Sequence, residues 1–147
     1  MVRKLLLGYL VVVMVVLPAI TLAQDAGTAC QERKRSLIKT MNNITELSDR
    51  QISFLSTVNK RTTDFVDKHG VALADLSEMT TNIRNQEGLA REQAKRLLTL
   101  AKSFKCDQNP KQTIVDFREQ NRLTVEAITS LRQLIRQFVA SVRAAGQ

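Results

Sequence analysis

The sequence predicts an all-α fold: an elongated antiparallel three-helix bundle with up-down-up topology and coiled-coil-like packing, after an N-terminal signal peptide. Beyond residue 23, apolar residues recur at alternating steps of three and four, which is the period of an α-helix. No stretch alternates with the period of two that is typical of a strand. Short breaks near residues 70 and 107 divide the pattern into three segments, so neighbouring helices should run antiparallel.

Residues 1–23 have the pattern of a secretory signal. A basic pair, Arg3 and Lys4, precedes a long apolar run that Pro18 interrupts. Such a segment is removed on export, and the small residue Ala23 marks the expected cleavage point. The alternative is a retained membrane anchor, because the run approaches the roughly 20 apolar residues that span a bilayer. Both interpretations place the rest of the chain in a secreted, periplasmic or other extracytoplasmic space.

Residues 24–147 should form a single helical-bundle domain, since this length supports one domain with a narrow core. The chain has 22 Lys and Arg against 14 Asp and Glu, a net charge of +8, and removal of the two basic residues of the signal would leave 20 against 14, or +6. This surplus favours anionic partners such as lipid head groups or acidic polymers. The alternative is that the basic surface only keeps the protein soluble.

The first helix is expected over about residues 30–69, where His69-Gly70 provides a stop because glycine adopts the left-handed conformation readily. We call the line of residues that each helix should direct into the core its seam. The predicted seam of the first helix is Leu37, Met41, Ile44, Ser48, Gln51, Leu55, Val58, Thr62 and Phe65.

The second helix is expected over about residues 72–106. Its predicted seam is Leu73, Leu76, Thr80, Ile83, Glu87, Ala90, Ala94, Leu97, Ala101 and Phe104. The alanines indicate close approach to a neighbouring helix.

The third helix is expected over about residues 110–144, because Asn109 can cap it and Pro110 suits the first helical position. Its predicted seam is Ile114, Phe117, Asn121, Thr124, Ile128, Leu131, Ile135, Phe138 and Val142. The same spacing also suits a helical hairpin that pairs or swaps with a second chain, which would make a homo-oligomer.

Two polar members of the predicted seams should face each other in the core. Gln51 lies 19 residues before Gly70 and Glu87 lies 17 after it, so the hairpin brings them to nearly one level. Such a layer sets the register of the helices or lines a binding cavity.

The two cysteines are predicted to form a disulfide, since an exported chain meets an oxidising environment. Cys30 lies 40 residues before Gly70 and Cys106 lies 36 after it, so both fall at the same end of the hairpin. Their offset of four residues amounts to about 6 Å along a helix axis. A redox site would present a CxxC motif, and a metal site needs more ligands than two cysteines and the distant His69.

The CQERKRSLI opening, the turn at Gly70 and the FKCDQNP junction resemble a group of small secreted two-cysteine helical proteins of candidate-phylum (Patescibacteria-like) bacteria, whose functions are uncharacterised. The resemblance covers nearly the whole chain after the signal. It implies a bacterial exported protein and transfers no functional residues.

The residues do not favour catalysis. His69 is the only histidine and stands at an expected helix end, and no GxSxG, HExxH, Walker or GxGxxG motif occurs. We therefore expect a non-enzymatic protein with no catalytic residues, metal site or cofactor.

A stripe of arginines on the third helix is the strongest candidate binding feature. At 100° per residue, its members lie within an arc of about 80°. The members of this arginine stripe are Arg118, Arg122, Arg132, Arg136 and Arg143. An anionic partner could lie along this stripe. Alternatively, the aliphatic parts of the arginine side chains could cover the apolar seam while their guanidinium groups pair with Asp or Glu of the next helix. Specific nucleic-acid binding is disfavoured, because the only tyrosine, Tyr9, lies in the signal and few aromatic residues remain to stack on bases.

These observations predict a helical interaction or structural protein of the cell envelope or secreted space. Its partner would be a protein or an anionic envelope component, with membrane contact only if the signal is retained. The alternative is a periplasmic-type chaperone that holds unfolded clients on a cationic amphipathic surface, although QNRLT at 120–124 is only superficially like the LTxxQ repeat of such chaperones. A secreted signalling ligand is a third functional class, but no residue of the sequence indicates a specific receptor.

Overall fold

The structure is a computed structural model that describes residues 25–146, with side chains from residue 30 onward. Its helices are α1 (Asp25–His69), α2 (Leu76–Ser103) and α3 (Pro110–Ala145), and no strand occurs in that range. Each helix packs against the other two, which confirms the predicted all-α three-helix bundle. The 45 residues of α1 extend about 68 Å at the usual helical rise. The predicted signal peptide lies outside the described residues.

The second helix is shorter than predicted at both ends. Leu76 donates its backbone N–H to the carbonyl of Leu73 at 3.4 Å, so the chain still turns at residues predicted to be helical. At the other end, Phe104 has a ψ of 121°, which is extended, and its side chain enters the core. Cys106 therefore lies in the connection between α2 and α3, and the expected helix over residues 72–106 is replaced by a helix over 76–103.

The end of α1 is a Schellman turn. Gly70 has a φ of 58°, and the N–H of Val71 donates to the carbonyl of Val66 at 3.2 Å. Both valines also belong to the same apolar cluster, which is the hydrophobic contact that accompanies this motif. The predicted stop at His69-Gly70 is thus confirmed.

Alanine substitutions at two glycines should have opposite effects on stability. Gly70→Ala should lower the free energy of unfolding by about 1–2 kcal/mol, because a Cβ is unfavourable in the left-handed region. No atom lies within 4 Å of the added Cβ, so backbone conformation alone causes this loss. Gly88→Ala is the matched control: it lies exposed within α2, also with open space around it, and should raise stability by about 0.5–1 kcal/mol. Urea denaturation followed by circular dichroism measures both, and a stabilised Gly70→Ala would contradict the assignment.

The start of α3 agrees with the prediction. Asn109 adopts the left-handed conformation with a φ of 44°, and its side-chain oxygen accepts from the N–H of Gln112. Pro110 occupies the first helical turn, where its missing N–H removes no helical hydrogen bond.

The core consists of two apolar clusters. One extends from Ile52 to the Gly70 end of the bundle and is centred on Leu131 and Phe138, while the other surrounds Leu97 and Phe117 near the disulfide. The seams predicted for α2 and α3 supply most of both clusters, and their buried members are confirmed as core. Those members are Ile83, Ala90, Ala94, Leu97, Ala101, Phe104, Phe117, Thr124, Ile128, Leu131, Ile135, Phe138 and Val142.

Polar side chains lie between the two clusters. Thr45, Ser48 and Thr124 are buried, and each hydroxyl donates to the carbonyl four residues earlier in its own helix. The Gln120 side chain donates to the Gln93 side chain at 2.6 Å and so links α3 to α2. Buried polar groups need such partners to avoid the cost of desolvation.

The predicted polar pair at Gln51 and Glu87 is wrong. Gln51 is exposed, and the Glu87 side chain accepts from Arg91 of its own helix at 2.7 Å. The polar layer contains other residues because α1 is rotated relative to the predicted seam. Its buried face follows residues 41, 45, 48, 52, 55 and 66, so Ile52 and Val66 enter the core where Gln51 and Phe65 were expected.

Candidate functional site

The two cysteines form the predicted disulfide. The Cys30 and Cys106 sulfurs are 2.06 Å apart, their Cα atoms are 5.8 Å apart, and no free cysteine is present. Both residues pack against the cluster around Leu97 and Phe117. The bond joins the amino-terminal part of α1 to the connection between α2 and α3. Its presence is consistent with an oxidising, extracytoplasmic compartment.

A groove lies between α1 and α3. It consists of two adjoining depressions of about 420 and about 560 Å³, which share Val58 of α1 and Val139 of α3. We call this surface the α1/α3 groove. Its floor is apolar, and Phe54 and Phe65 of α1 stand along one side.

The groove exists because α1 carries apolar residues on two faces. Leu47, Phe54, Val58 and Phe65 lie within an arc of about 40°, beside the face that enters the core. Phe54 is 67% exposed and Phe65 is 47% exposed. A three-helix bundle offers no neighbour for this second face, so it stays uncovered.

The sequence contained a signal for this surface. The predicted seam assigned Gln51, Val58 and Phe65 to the core, yet Ile52 and Val66 form an equally periodic seam one residue later. A helix with more apolar residues than one seam can accommodate indicates a second contact face.

The structure divides the arginine stripe. Arg132, Arg136 and Arg143 line the α1/α3 groove, and Arg61 of α1 joins them, a residue that was not predicted. Among the described residues, none of these four side chains makes an ion pair. No acidic residue lines the groove. The cationic groups are therefore available to a partner.

The other two members of the stripe lie outside the groove. Arg122 pairs with Glu119 at 2.6 Å and with Glu126. The hydrogen bond from Arg122 lowers the pKa of Glu119, and both carboxylates raise the pKa of Arg122. Arg118 is exposed and makes no ion pair within residues 25–146.

Ion pairs between helices were one explanation for the stripe. Every ion pair among the described residues joins two residues of the same helix, three or four positions apart. Pairing with acids of the neighbouring helix is therefore not what positions the arginines.

Other chemical features of the described part of the chain are few. It contains no cluster of three His, Cys, Asp or Glu side chains that could hold a metal ion. His69 ends α1, and its ring lies 4.4 Å from that of Phe65. The side-chain oxygen of Asn59 is buried without a hydrogen-bond partner. No helix within residues 25–146 has the length and hydrophobicity needed to cross a membrane.

Comparison with known proteins gives no match: no family model, curated protein or solved structure matches the chain.

Proposed function

We propose that the protein is a non-enzymatic interaction protein of the extracytoplasmic space that binds a protein or an anionic component of the cell envelope through the α1/α3 groove. The observation that carries this proposal is the combination of exposed Phe54 and Phe65 with four arginines that have no acidic neighbour in the groove. Contiguous apolar surface with charged edges is typical of interaction sites.

The location forms part of the same proposal. Residues 1–23 act as a cleaved secretory signal, and the Cys30–Cys106 disulfide forms after export. Bacterial origin and kinship with the secreted two-cysteine helical proteins are supported by the CQERKRSLI and FKCDQNP segments. If the signal is retained, the same bundle stands on a membrane anchor.

Retention on isolated cell envelopes tests the proposed binding. The disulfide-bonded protein should sediment with envelopes, and Phe54→Glu should remain in the supernatant because it places a carboxylate on the apolar side of the groove. Val115→Glu is the matched control, since Val115 is 55% exposed on α3 and lies outside the groove. Equal retention of all three proteins would contradict a role for this surface.

A periplasmic-type chaperone is the second candidate, because exposed Leu47, Phe54 and Phe65 beside arginines could also hold unfolded clients. An assay with a denatured client, diluted without reductant so that the disulfide stays intact, distinguishes the two. Suppression of aggregation at a near-stoichiometric ratio favours the chaperone. Envelope retention without suppression favours the interaction protein.

A further inference from the structure

We propose that the α1/α3 groove binds an acidic amphipathic helix of a partner protein, which packs between α1 and α3 as a fourth helix. The inference rests on the proposed function and specifies the chemistry of its partner.

The shape of the groove matches a helix. Its α1 side extends from Gln51 to Phe65, which is about 21 Å or four helical turns. On the α3 side, Ile135, Val139 and Val142 follow steps of four and three. On the α1 side, Phe54, Val58 and Phe65 follow steps of four and seven, which also place them on one helix face. Helical spacing on both walls suits the apolar side chains of a packed helix.

The charge of the groove selects an acidic partner. Arg61 lies on the α1 side, and Arg132, Arg136 and Arg143 lie on the α3 side, so the apolar floor has one cation at its α1 edge and three along its α3 edge. A helix on this floor would place the residues that flank its apolar seam opposite these arginines. Asp or Glu at those positions gives complementary pairs, whereas Lys or Arg gives repulsion.

The same charges disfavour two other occupants. A second copy of the chain would bring four identical arginines against these four, on a protein that keeps 20 Lys and Arg against 14 Asp and Glu after removal of the signal. An acyl chain with one anionic head would satisfy one end of the groove only. Arginines occur beside both depressions, which suits carboxylates repeated along a helix.

Binding of two synthetic peptides tests the inference. Both contain three heptads with leucine at the two seam positions; one has glutamate and the other lysine at the flanking positions. The disulfide-bonded protein should bind the glutamate peptide with 1:1 stoichiometry in calorimetry and increase its helicity. It should not bind the lysine peptide.

Variants assign the binding to the groove. Arg132→Glu/Arg136→Glu should weaken binding of the glutamate peptide by about tenfold or more and should create binding of the lysine peptide. Phe54→Ala should weaken binding of the glutamate peptide by about tenfold, as expected when an aromatic side chain that anchors the partner is removed. Arg118→Glu is the matched control on the same stripe, outside the groove, and should leave the affinity unchanged within about twofold.

Failure of this inference is distinguishable from failure of the proposed function. If the glutamate peptide does not bind but Phe54→Glu still abolishes envelope retention, the groove functions and its occupant is not an acidic helix. Binding to phosphatidylglycerol vesicles that Arg132→Glu/Arg136→Glu abolishes, without peptide binding, would assign the groove to a lipid surface. Self-association that Phe54→Glu abolishes would assign it to a second copy. If the glutamate peptide binds only to protein that lacks residues 1–23, the groove is instead the binding site of residues 1–23 in the full chain.

Discussion

Replacement of both Cys30 and Cys106 by serine should lower the free energy of unfolding by about 4.5 kcal/mol. The bond closes a loop of 76 residues, and its removal restores the conformational entropy of that loop to the unfolded chain. Domains are typically stable by about 5–15 kcal/mol, so a narrow bundle loses a large share of its stability. Urea denaturation followed by circular dichroism measures the loss.

The effect should also be localised in the bundle. Without the bond, the part of α1 before Met41 depends on half-buried contacts of Leu37 and Ile38 with the cluster around Leu97. Amide hydrogen exchange should therefore accelerate there first, while residues packed around Phe138 keep their protection. Wild-type protein treated with reductant is the control and should reproduce both results. A loss below about 1 kcal/mol would contradict loop entropy as the source of this stabilisation.

Phe138→Ala should lower the free energy of unfolding by about 3–5 kcal/mol, because truncation of a buried aromatic side chain leaves a cavity. Phe138 is 0% exposed and belongs to the cluster that all three helices build. The same measurement in urea should show a lower midpoint with an unchanged slope.

Phe54→Ala is the matched control for this prediction. It removes the same atoms from a side chain that is 67% exposed, so stability should change by no more than about 0.5 kcal/mol. The two variants should also differ in function, since the Phe54→Ala protein should lose affinity for the glutamate peptide although its stability is unchanged. Equal destabilisation by both would contradict the placement of Phe54 in the groove.

The pairing of the cysteines could be predicted from the sequence because it depends on counting along two antiparallel helices. The count left an offset of four residues, and the structure accommodates it because residues 71–75 and 104–106 are not helical. Extended residues advance about 3.3 Å each against 1.5 Å in a helix. The predicted end of α2 was therefore wrong although the disulfide was right.

The fold class, the start of α3 and its core face followed from the sequence alone, because the period of apolar residues and the Asn109-Pro110 cap are local properties. The rotation of α1 is different. The predicted seam and the observed buried face of α1 share Met41, Ser48 and Leu55. Between these residues the observed face uses the position one residue later, such as Ile52 in place of Gln51, so periodicity alone cannot decide between the two. Simultaneous packing against α2 and α3 decides it, and only that packing brings the second apolar face of α1 beside the unpaired arginines of α3.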